Sequence, residues 1–594
     1  MAALASALNR HAVDFTAATG VPLVLDREAL TVIDRGLEDA DPTVAVFSLS
    51  LLEQLPPAEG TPRAVAKLRH GTPEVRAEAA RVLGRLDIDP GSQPSADVLE
   101  ALEGEKSGFV QASLLATLGE WRDADAERLT PFLASDDPRV RKEALVALSR
   151  GGWPETTRRI RALLAPEAPG ADHAVGAAVV GALGAADFLG EVAAVVEDDA
   201  ARPAALEALA ALGGPAVPAL AGLLRRRDLP LPVRRSVVTA LASTAHADAR
   251  AALLDLVDEP ALGPAALTSL QRLRRDGRLD AVEPARLRSP LQTKVRRGLR
   301  YALVASTLRR RGEAEPIRFV AEELEGLTAR SIYRVMRILT LSHDPTLLET
   351  VRQALSSDDV AQRSNALELL EGMLSQEESR IVIPFAETGS EGFPPDRVAG
   401  LVATGSAIRS RPLETLLDDD DWWTRALALH ALGRHAEISI PGRDPEHSED
   451  PDMIPIIERV MILKGSQLFR HFPGNDLAGI AALSEVVHLE KDQVVFEQGD
   501  AGDAFYMVVR GSIRIMRGST ELALLGTREG FGEMAILDQE TRSATATAAE
   551  PTTLLRIDRD SFDRLIEQNP SVARGIYRVL TQRLRNTLAQ VAAG

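Results

Sequence analysis

Phe531-Gly-Glu-Met-Ala-Ile-Leu-Asp-Gln-Glu-Thr-Arg-Ser-Ala-Thr545 gathers in one short stretch the groups that hold a phosphorylated sugar. A short helix beginning near Gly532 would turn unpaired backbone N–H groups and a positive dipole end toward an anion, and glycine there lets a phosphate approach the backbone closely. The amides near Met534 and Ala535 would add to these donors. Glu533, on the helix's first turn, can accept a hydrogen bond from a sugar hydroxyl. After the loop Asp538–Thr541, Arg542 offers a planar guanidinium fork to phosphate oxygens, and Ser543 adds a neutral donor. A competing reading of the same residues has Glu533 and Arg542 pairing with each other in an unliganded fold.

Upstream, Val494-Val-Phe-Glu-Gln-Gly-Asp500, Gly502-Asp-Ala-Phe-Tyr506 and Arg510-Gly-Ser512 read as a strand-and-turn framework. Together with Phe531-Gly-Glu-Met-Ala535 and Arg542-Ser-Ala544, this framework resembles the cyclic-nucleotide-binding family. That family includes the bacterial catabolite activator protein and the regulatory subunits of cyclic-AMP-dependent kinase. The resemblance covers residues 466–590. It implies that Gly532, Glu533, Met534, Ala535, Arg542 and Ser543 bind a cyclic nucleotide, with cyclic AMP favoured over cyclic GMP. It also implies that Thr587 meets the base edge, although Leu588 stands where the family has a hydroxyl residue. Ala504–Val509, Ser512–Met516, Thr545–Ala548 and Thr553–Ile557 are the expected strands of a small antiparallel roll. Ser571–Val591, with Val572, Ile576, Val579, Leu580, Leu584, Leu588 and Val591 on one side, is the expected closing helix. Its apolar stripe exceeds what a small roll buries, which opens a route to a homodimer. In the family's transcription factors a winged helix follows this element. About three residues remain after Val591, so DNA recognition by that route is not expected.

Toward the N-terminus a different unit recurs. Asp41-Pro-Thr-Val44, Thr72-Pro-Glu-Val-Arg76, Asp137-Pro-Arg-Val-Arg141 and Leu231-Pro-Val-Arg-Arg235 each precede apolar residues at helical spacing. Val75, Ala79, Val82, Leu83 and Leu86, for example, share one helix face. Openings recur at roughly 30 to 37 residues or twice that, the range of helix-pair arrays. The units resemble HEAT repeats, with weaker copies at Leu291–Arg296, Asp358–Val360 and Asp418–Arg425. The fold expected is mainly α: an N-terminal cap (1–24), a HEAT-like α-solenoid (25–436), a polar linker (437–452), a coupling helix (453–465) and the β-roll domain with its flanking helices (466–594). Trp422 and Trp423 read as packing between repeats, and Asp418–Asp421 as a turn favouring a helix N-terminus.

Composition narrows the function. The chain of 594 residues has no cysteine, which excludes disulfides, thiolate metal sites and cysteine nucleophiles. Its net charge of −18 opposes bulk attraction to nucleic acid. No signal peptide or membrane span is apparent, so a cytoplasmic location is expected. His430 and His435 stand five apart and do not share a helix face as i, i+4 ligands would, so no metal is expected. Lys464-Gly-Ser466 has its lysine in the wrong place for a phosphate loop, and Gly530-Phe-Gly532 lacks the third glycine of a dinucleotide site. Nothing marks an enzyme, and an unrecognised catalytic activity ranks third among the readings.

One stretch departs from the acidic average. Arg225–Arg311 carries 19 Lys/Arg against 8 Asp/Glu. Either these arginines pair with neighbouring repeats, or they stack into a stripe that captures an acidic protein surface or anionic lipid, or is covered by the acidic linker or sensor in one nucleotide state. The leading expectation is a regulatory scaffold whose protein interactions answer to cyclic nucleotide. Its rival is the soluble part of a membrane transport system, since the arrangement is similar to the tails of some bacterial transporter-like proteins. Peripheral membrane association stays open with it.

Overall fold

The computed structural model describes residues 27–122 except 87 and 89–91, then 125–311, 314–389 except 358, 405–439, 454–532 except 467, 468, 470 and 471, 541–560, and 581. These fall into two compact units, divided between Ala281 and Val282.

In the first unit eight helices pack in a row: α1 (Pro42–Leu51), α2 (Pro73–Arg85), α3 (Gly108–Glu120), α4 (Pro138–Arg150), α5 (Gly170–Leu183), α6 (Arg202–Leu212), α7 (Leu231–Ser243) and α8 (Gly263–Arg275). They begin 29 to 35 residues apart, and each also packs on the helical segment just before it in the chain. The Asp-Pro openings are helix caps. Asp41 accepts from the Thr43 amide and Asp137 from the Arg139 amide, both at 2.9 Å, while the proline occupies a first-turn position that lacks an intrahelical N–H partner anyway. The arginine that follows closes the turn from the other side. Arg141 donates to the Ser135 carbonyl at 2.9 Å and Arg202 to the Val196 carbonyl at 3.0 Å, each six residues back.

Small residues set the spacing of the row. A Cβ on Gly119 would lie 3.1 Å from the Ala147 Cα, and one on Gly181 only 2.9 Å from the Ala208 Cα. Between α2 and α3 the buried Thr117 hydroxyl donates to the Ala80 carbonyl at 2.6 Å. Alanine-rich composition with few aromatics is what such close helix contacts require.

The second unit opens on two long helices packed along each other, α9 (Pro284–Arg311) and α10 (Glu315–Leu339). Leu291–Arg296 therefore does not open a repeat. It lies inside α9, where Leu291 and Val295 are buried on one face. Asp359 does open α11 (Val360–Met373), capping the Ala361 amide at 2.8 Å. It is followed by α12 (Gln376–Ala386) and α13 (Trp422–Ala431). Gly298 of α9 sits where α10 and α12 meet, and a Cβ there would lie 2.2 Å from Phe385 Cζ and 3.0 Å from Ser331 Cβ. Phe385 is buried and cannot swing away. Gly298→Ala is accordingly expected to destabilise the protein by about 1–3 kcal/mol through overpacking, read as a lower midpoint in thermal or urea unfolding.

Much of the basic stretch is engaged within the chain, and the division between the units runs through it. Arg226 pairs with Glu197 and Asp228, Arg288 with Glu377, and Arg309 with Glu325. Arg311 donates to the carbonyls of Arg409 and Ser410. Arg297 and Arg300 both reach Asp419, whose carboxylate is fully buried and also accepts from the Tyr301 hydroxyl at 3.1 Å. Asp419 is thus the centre of a buried ion cluster, not a solvated turn charge. The free charge of the stretch is smaller than its composition implies.

After α13 come α14 (Ile456–Gly465) and α15 (Gly474–Leu483), then two four-stranded antiparallel sheets. One has the order β1 (Glu485–Leu489), β8 (Thr552–Asp558), β3 (Ala504–Arg510), β6 (Gly530–Phe531). The other has β2 (Val494–Phe496), β7 (Thr545–Ala548), β4 (Ile513–Arg517), β5 (Thr520–Leu525). Their facing sides close over Leu489, Tyr506, Val508, Ile513, Phe531 and Leu554. The expected strands are present, with β2 from the upstream framework, joined by β1, β5 and β6. The closing helix 571–591 and most of the linker 437–452 lie outside the described residues, apart from residue 581 and linker residues up to 439. Among the described residues no helix is long and apolar enough to cross a membrane.

Candidate binding site

Arg542 enters the β domain just before β7, where its backbone is fixed on both sides: its amide donates to the Asp500 carbonyl at 2.8 Å, and its carbonyl accepts from Gly499 at 2.9 Å. Alternation along the strand does the rest. Arg542, Ala544, Ala546 and Ala548 point inward, while Ser543 is exposed. The guanidinium is only 2% exposed. It lies 4.1 Å from the centre of the Phe496 ring and 5.8 Å from that of Tyr506, whose ring stacks on Phe531.

This cation is underpaired for its depth. Nη2 donates to the Ala504 carbonyl at 2.9 Å and reaches the Asp503 carboxylate at 3.3 Å, while Nη1 reaches the Gly532 carbonyl at 3.4 Å. Nε is buried with no hydrogen-bond partner among the described residues. Burial pulls the Arg542 pKa below its ordinary value, with Tyr506 and Asp503 opposing the shift. Asp503 is a weak counter-ion here, being 66% exposed and shared with Arg556 at 3.2 Å. A desolvated guanidinium with a spare donor is suited to take a further anion.

Gly532 has a role that spacing alone does not show. Its φ is +80°, and a Cβ there would lie 2.6 Å from Arg542 Nη1. Glycine is needed for the close approach of the arginine itself. Of the expected site residues, the structure brings Gly532 and Arg542 together, while Ser543 follows on the exposed side of the strand. Glu533, Met534, Ala535 and Thr587 lie outside the described residues. Asp503, Phe496 and Tyr506 seat the guanidinium, a role beyond the framework part that the sequence assigns them. Their signal was the alternation in β3 and the short spacing of Phe496 from the Gly499 turn.

The model of the Cyclic nucleotide-binding domain family matches residues 486–569, which contain this arrangement. The region is a cyclic nucleotide-binding domain. Over 128 residues the chain is 38% identical to the Cyclic AMP receptor protein of Thermus thermophilus, a match covering 21% of this chain and 59% of that one. Over 124 residues it is 31% identical to the CRP-like cAMP-activated global transcriptional regulator of Mycobacterium tuberculosis, covering 20% and 55%. The chain thus spans little more than half the length of either relative. The crystal structure of Thermus thermophilus Catabolite Activator Protein aligns with 32% identity over 21% of this chain and 62% of that one, at a TM-score of 0.20.

Within the second unit the cyclic nucleotide-binding domain is held by one face of α10, on which Glu315, Phe319 and Glu323 recur every four residues. Arg528, between β5 and β6, pairs with Glu315. The Lys464 ammonium at the end of α14 pairs with Glu323 and lies 5.8 Å from the Phe319 ring centre. Glu323 is 3% exposed and also accepts from the Gly474 amide at 3.1 Å and the Trp423 indole at 3.3 Å. Trp423 therefore belongs to the core that receives the domain.

Asp476, on the first turn of α15, faces the same α10. Burial raises its pKa, Arg330 opposes the rise and Glu323 adds to it, while the Asn475 amide donates to it at 3.0 Å. A carboxyl with a higher pKa folded than unfolded binds more protons in the folded state between the two values, so stability falls as pH rises across that window. Asp476→Asn removes the cost of ionisation. Its melting temperature is expected to exceed that of the parent at neutral pH, with the difference closing as pH falls below about 4, the ordinary aspartate range. An equal melting temperature at neutral pH would mean that the charge is not penalised.

Proposed function

We propose that this chain is a regulatory protein whose C-terminal domain binds cyclic AMP and thereby controls what its helical region holds. What carries the proposal is the buried, underpaired guanidinium of Arg542 beside Gly532, inside the region matched by the family. On binding, the cyclic phosphate takes Nε and Nη2 of Arg542 in place of the long contact to Asp503. The amides near Met534 and Ala535 and the Ser543 hydroxyl complete the phosphate shell, Glu533 accepts the ribose hydroxyl, and Thr587 meets the base. Cyclic AMP is preferred to cyclic GMP, in keeping with the ligand named in both relatives.

The helical region, read as a HEAT-like solenoid over 25–436, is the output. Stacked helix pairs at 29 to 35 residues support this reading, as do capped Asp-Pro openings with a turn-closing arginine. Its partner is a protein and not DNA, because a net charge of −18 repels a polyphosphate. Exposed arginines without a described ion pair, Arg225, Arg235, Arg272 and Arg275 among them, suit an acidic surface. The role is regulatory, not catalytic.

Calorimetric titration of the full chain with cyclic AMP, cyclic GMP and linear 5′-AMP tests the ligand. Saturable binding of one cyclic AMP, tighter than either competitor, is expected. Heat indistinguishable from dilution for both cyclic nucleotides would end the proposal.

A further inference from the structure

The helix α13 ends at Ala431, and Gly433 follows with φ +72°. This left-handed glycine reverses the chain, with the Gly433 amide on the His430 carbonyl at 3.0 Å and the Arg434 amide on the Leu429 carbonyl at 2.8 Å. The reversal folds His435 back over His430. Five residues apart, the two rings could not share the face of a continuous helix, but the helix has stopped between them. Their Nδ1 atoms face each other at 3.4 Å, with ring centres 4.9 Å apart. Glu458 of α14 completes a group whose ligand atoms all lie within 4.8 Å of one another.

We propose that His430, His435 and Glu458 bind a divalent first-row metal ion of the zinc type, which staples α13 to the helix that leads into the cyclic nucleotide-binding domain. Two nitrogens that each sit ~2.0–2.1 Å from a tetrahedral ion are about 3.3–3.4 Å apart, the separation the two Nδ1 atoms already have. Facing ring nitrogens at this distance satisfy each other only if one carries a proton. An ion between them uses both lone pairs. His430 is 6% exposed and so is held in place by its surroundings, while its Nε2 has no hydrogen-bond partner among the described residues. An ion on Nδ1 places the ring's proton on Nε2. Two imidazoles and one carboxylate select zinc, nickel, cobalt or copper over magnesium or calcium, which demand oxygen shells. The remaining position is open to water, since His435 and Glu458 lie toward solvent.

The ligands come from both sides of the segment 440–453 in sequence, so the ion would restrain α14 without help from that segment. This is a second input to the same domain, independent of Arg542.

The test uses the full chain, stripped with a chelator and then titrated with zinc sulfate or magnesium chloride. One equivalent of zinc is expected to bind and to raise the melting temperature, with magnesium doing neither. His435→Ala and Glu458→Gln, both at exposed positions, should weaken that equivalent by at least ~10-fold. They should also abolish the zinc-dependent rise while leaving the metal-free melting temperature unchanged. His488→Ala, at an exposed histidine whose Nδ1 lies 3.2 Å from the Thr553 hydroxyl, should behave as the parent. Equal zinc stoichiometry and affinity in the parent and in both ligand variants would overturn the proposal, as would a parent that binds no zinc.

Discussion

Arg542→Ala is expected to weaken cyclic AMP binding by about 2–5 kcal/mol, or roughly 30-fold to several thousand-fold. The size follows from where the guanidinium sits. At 2% exposure it is already removed from water in the absence of ligand, so the phosphate meets a cation with little hydration left to strip. Removing it leaves the phosphate partly desolvated opposite an alanine, and the Asp503 carboxylate nearby turns from a competitor into a repelling charge. Arg542→Lys keeps the charge but not the fork, and its ammonium cannot reach both Gly532 and Ala504 carbonyls as the two Nη atoms do. Intermediate loss is expected there. Because Arg542 also ties β3 to the Gly532 turn, the melting temperature of each variant without ligand separates lost binding from a loosened fold. Parental affinity in Arg542→Ala, measured by calorimetry, would show that the phosphate binds elsewhere.

How far this site could be read without coordinates depends on which groups are local in sequence. Gly532 and Arg542 belong to one short motif, and β-strand alternation places the arginine inside. The counter-ion Asp503, just before β3, and the aromatic seat of Phe496 and Tyr506 are placed by strands whose register only the folded sheets fix. The helix pairs behave similarly. Where the turn is Asp-Pro, the cap writes itself into the sequence, as at Asp41 and Asp137. The helices opening at Gly108, Gly170 and Gly263 lack a side-chain cap, so nothing local announces them; packing on both neighbours defines them instead. In α9 an opening-like Val295-Arg296 is overridden because the helical pattern continues unbroken through it. His430 and His435 show the converse: residues five apart meet because the helix ends between them, at the left-handed Gly433, where helical periodicity no longer applies.

Glu323→Ala is expected to cost on the order of 3 kcal/mol in stability, at the low end of the range for removing one partner of a buried ion pair, because the Lys464 side chain keeps 25% exposure. No sequence feature singles Glu323 out, since its partners Trp423, Lys464 and Gly474 lie 100 to 151 residues away. Its carboxylate collects one ammonium, one indole N–H and one amide N–H, so truncation leaves three donors facing a cavity. Glu323→Gln can still accept from the indole or the amide but cannot neutralise Lys464, and should fall between the parent and the alanine variant. A cycle with Lys464→Met isolates the charge pair, with a coupling of at least about 0.5 kcal/mol expected for groups in direct contact. Unchanged melting of Glu323→Ala would mean that the domain is held by other contacts. The same variant bears on regulation. If cyclic AMP favours one arrangement of the domain on α10, loosening that arrangement must change the apparent affinity for the nucleotide by the same coupling that lets the nucleotide move the domain. A shifted dissociation constant in Glu323→Ala, with Arg542 untouched, is therefore the expected signature of a domain that signals through α10, and an unshifted one would leave Glu323 as a structural anchor alone.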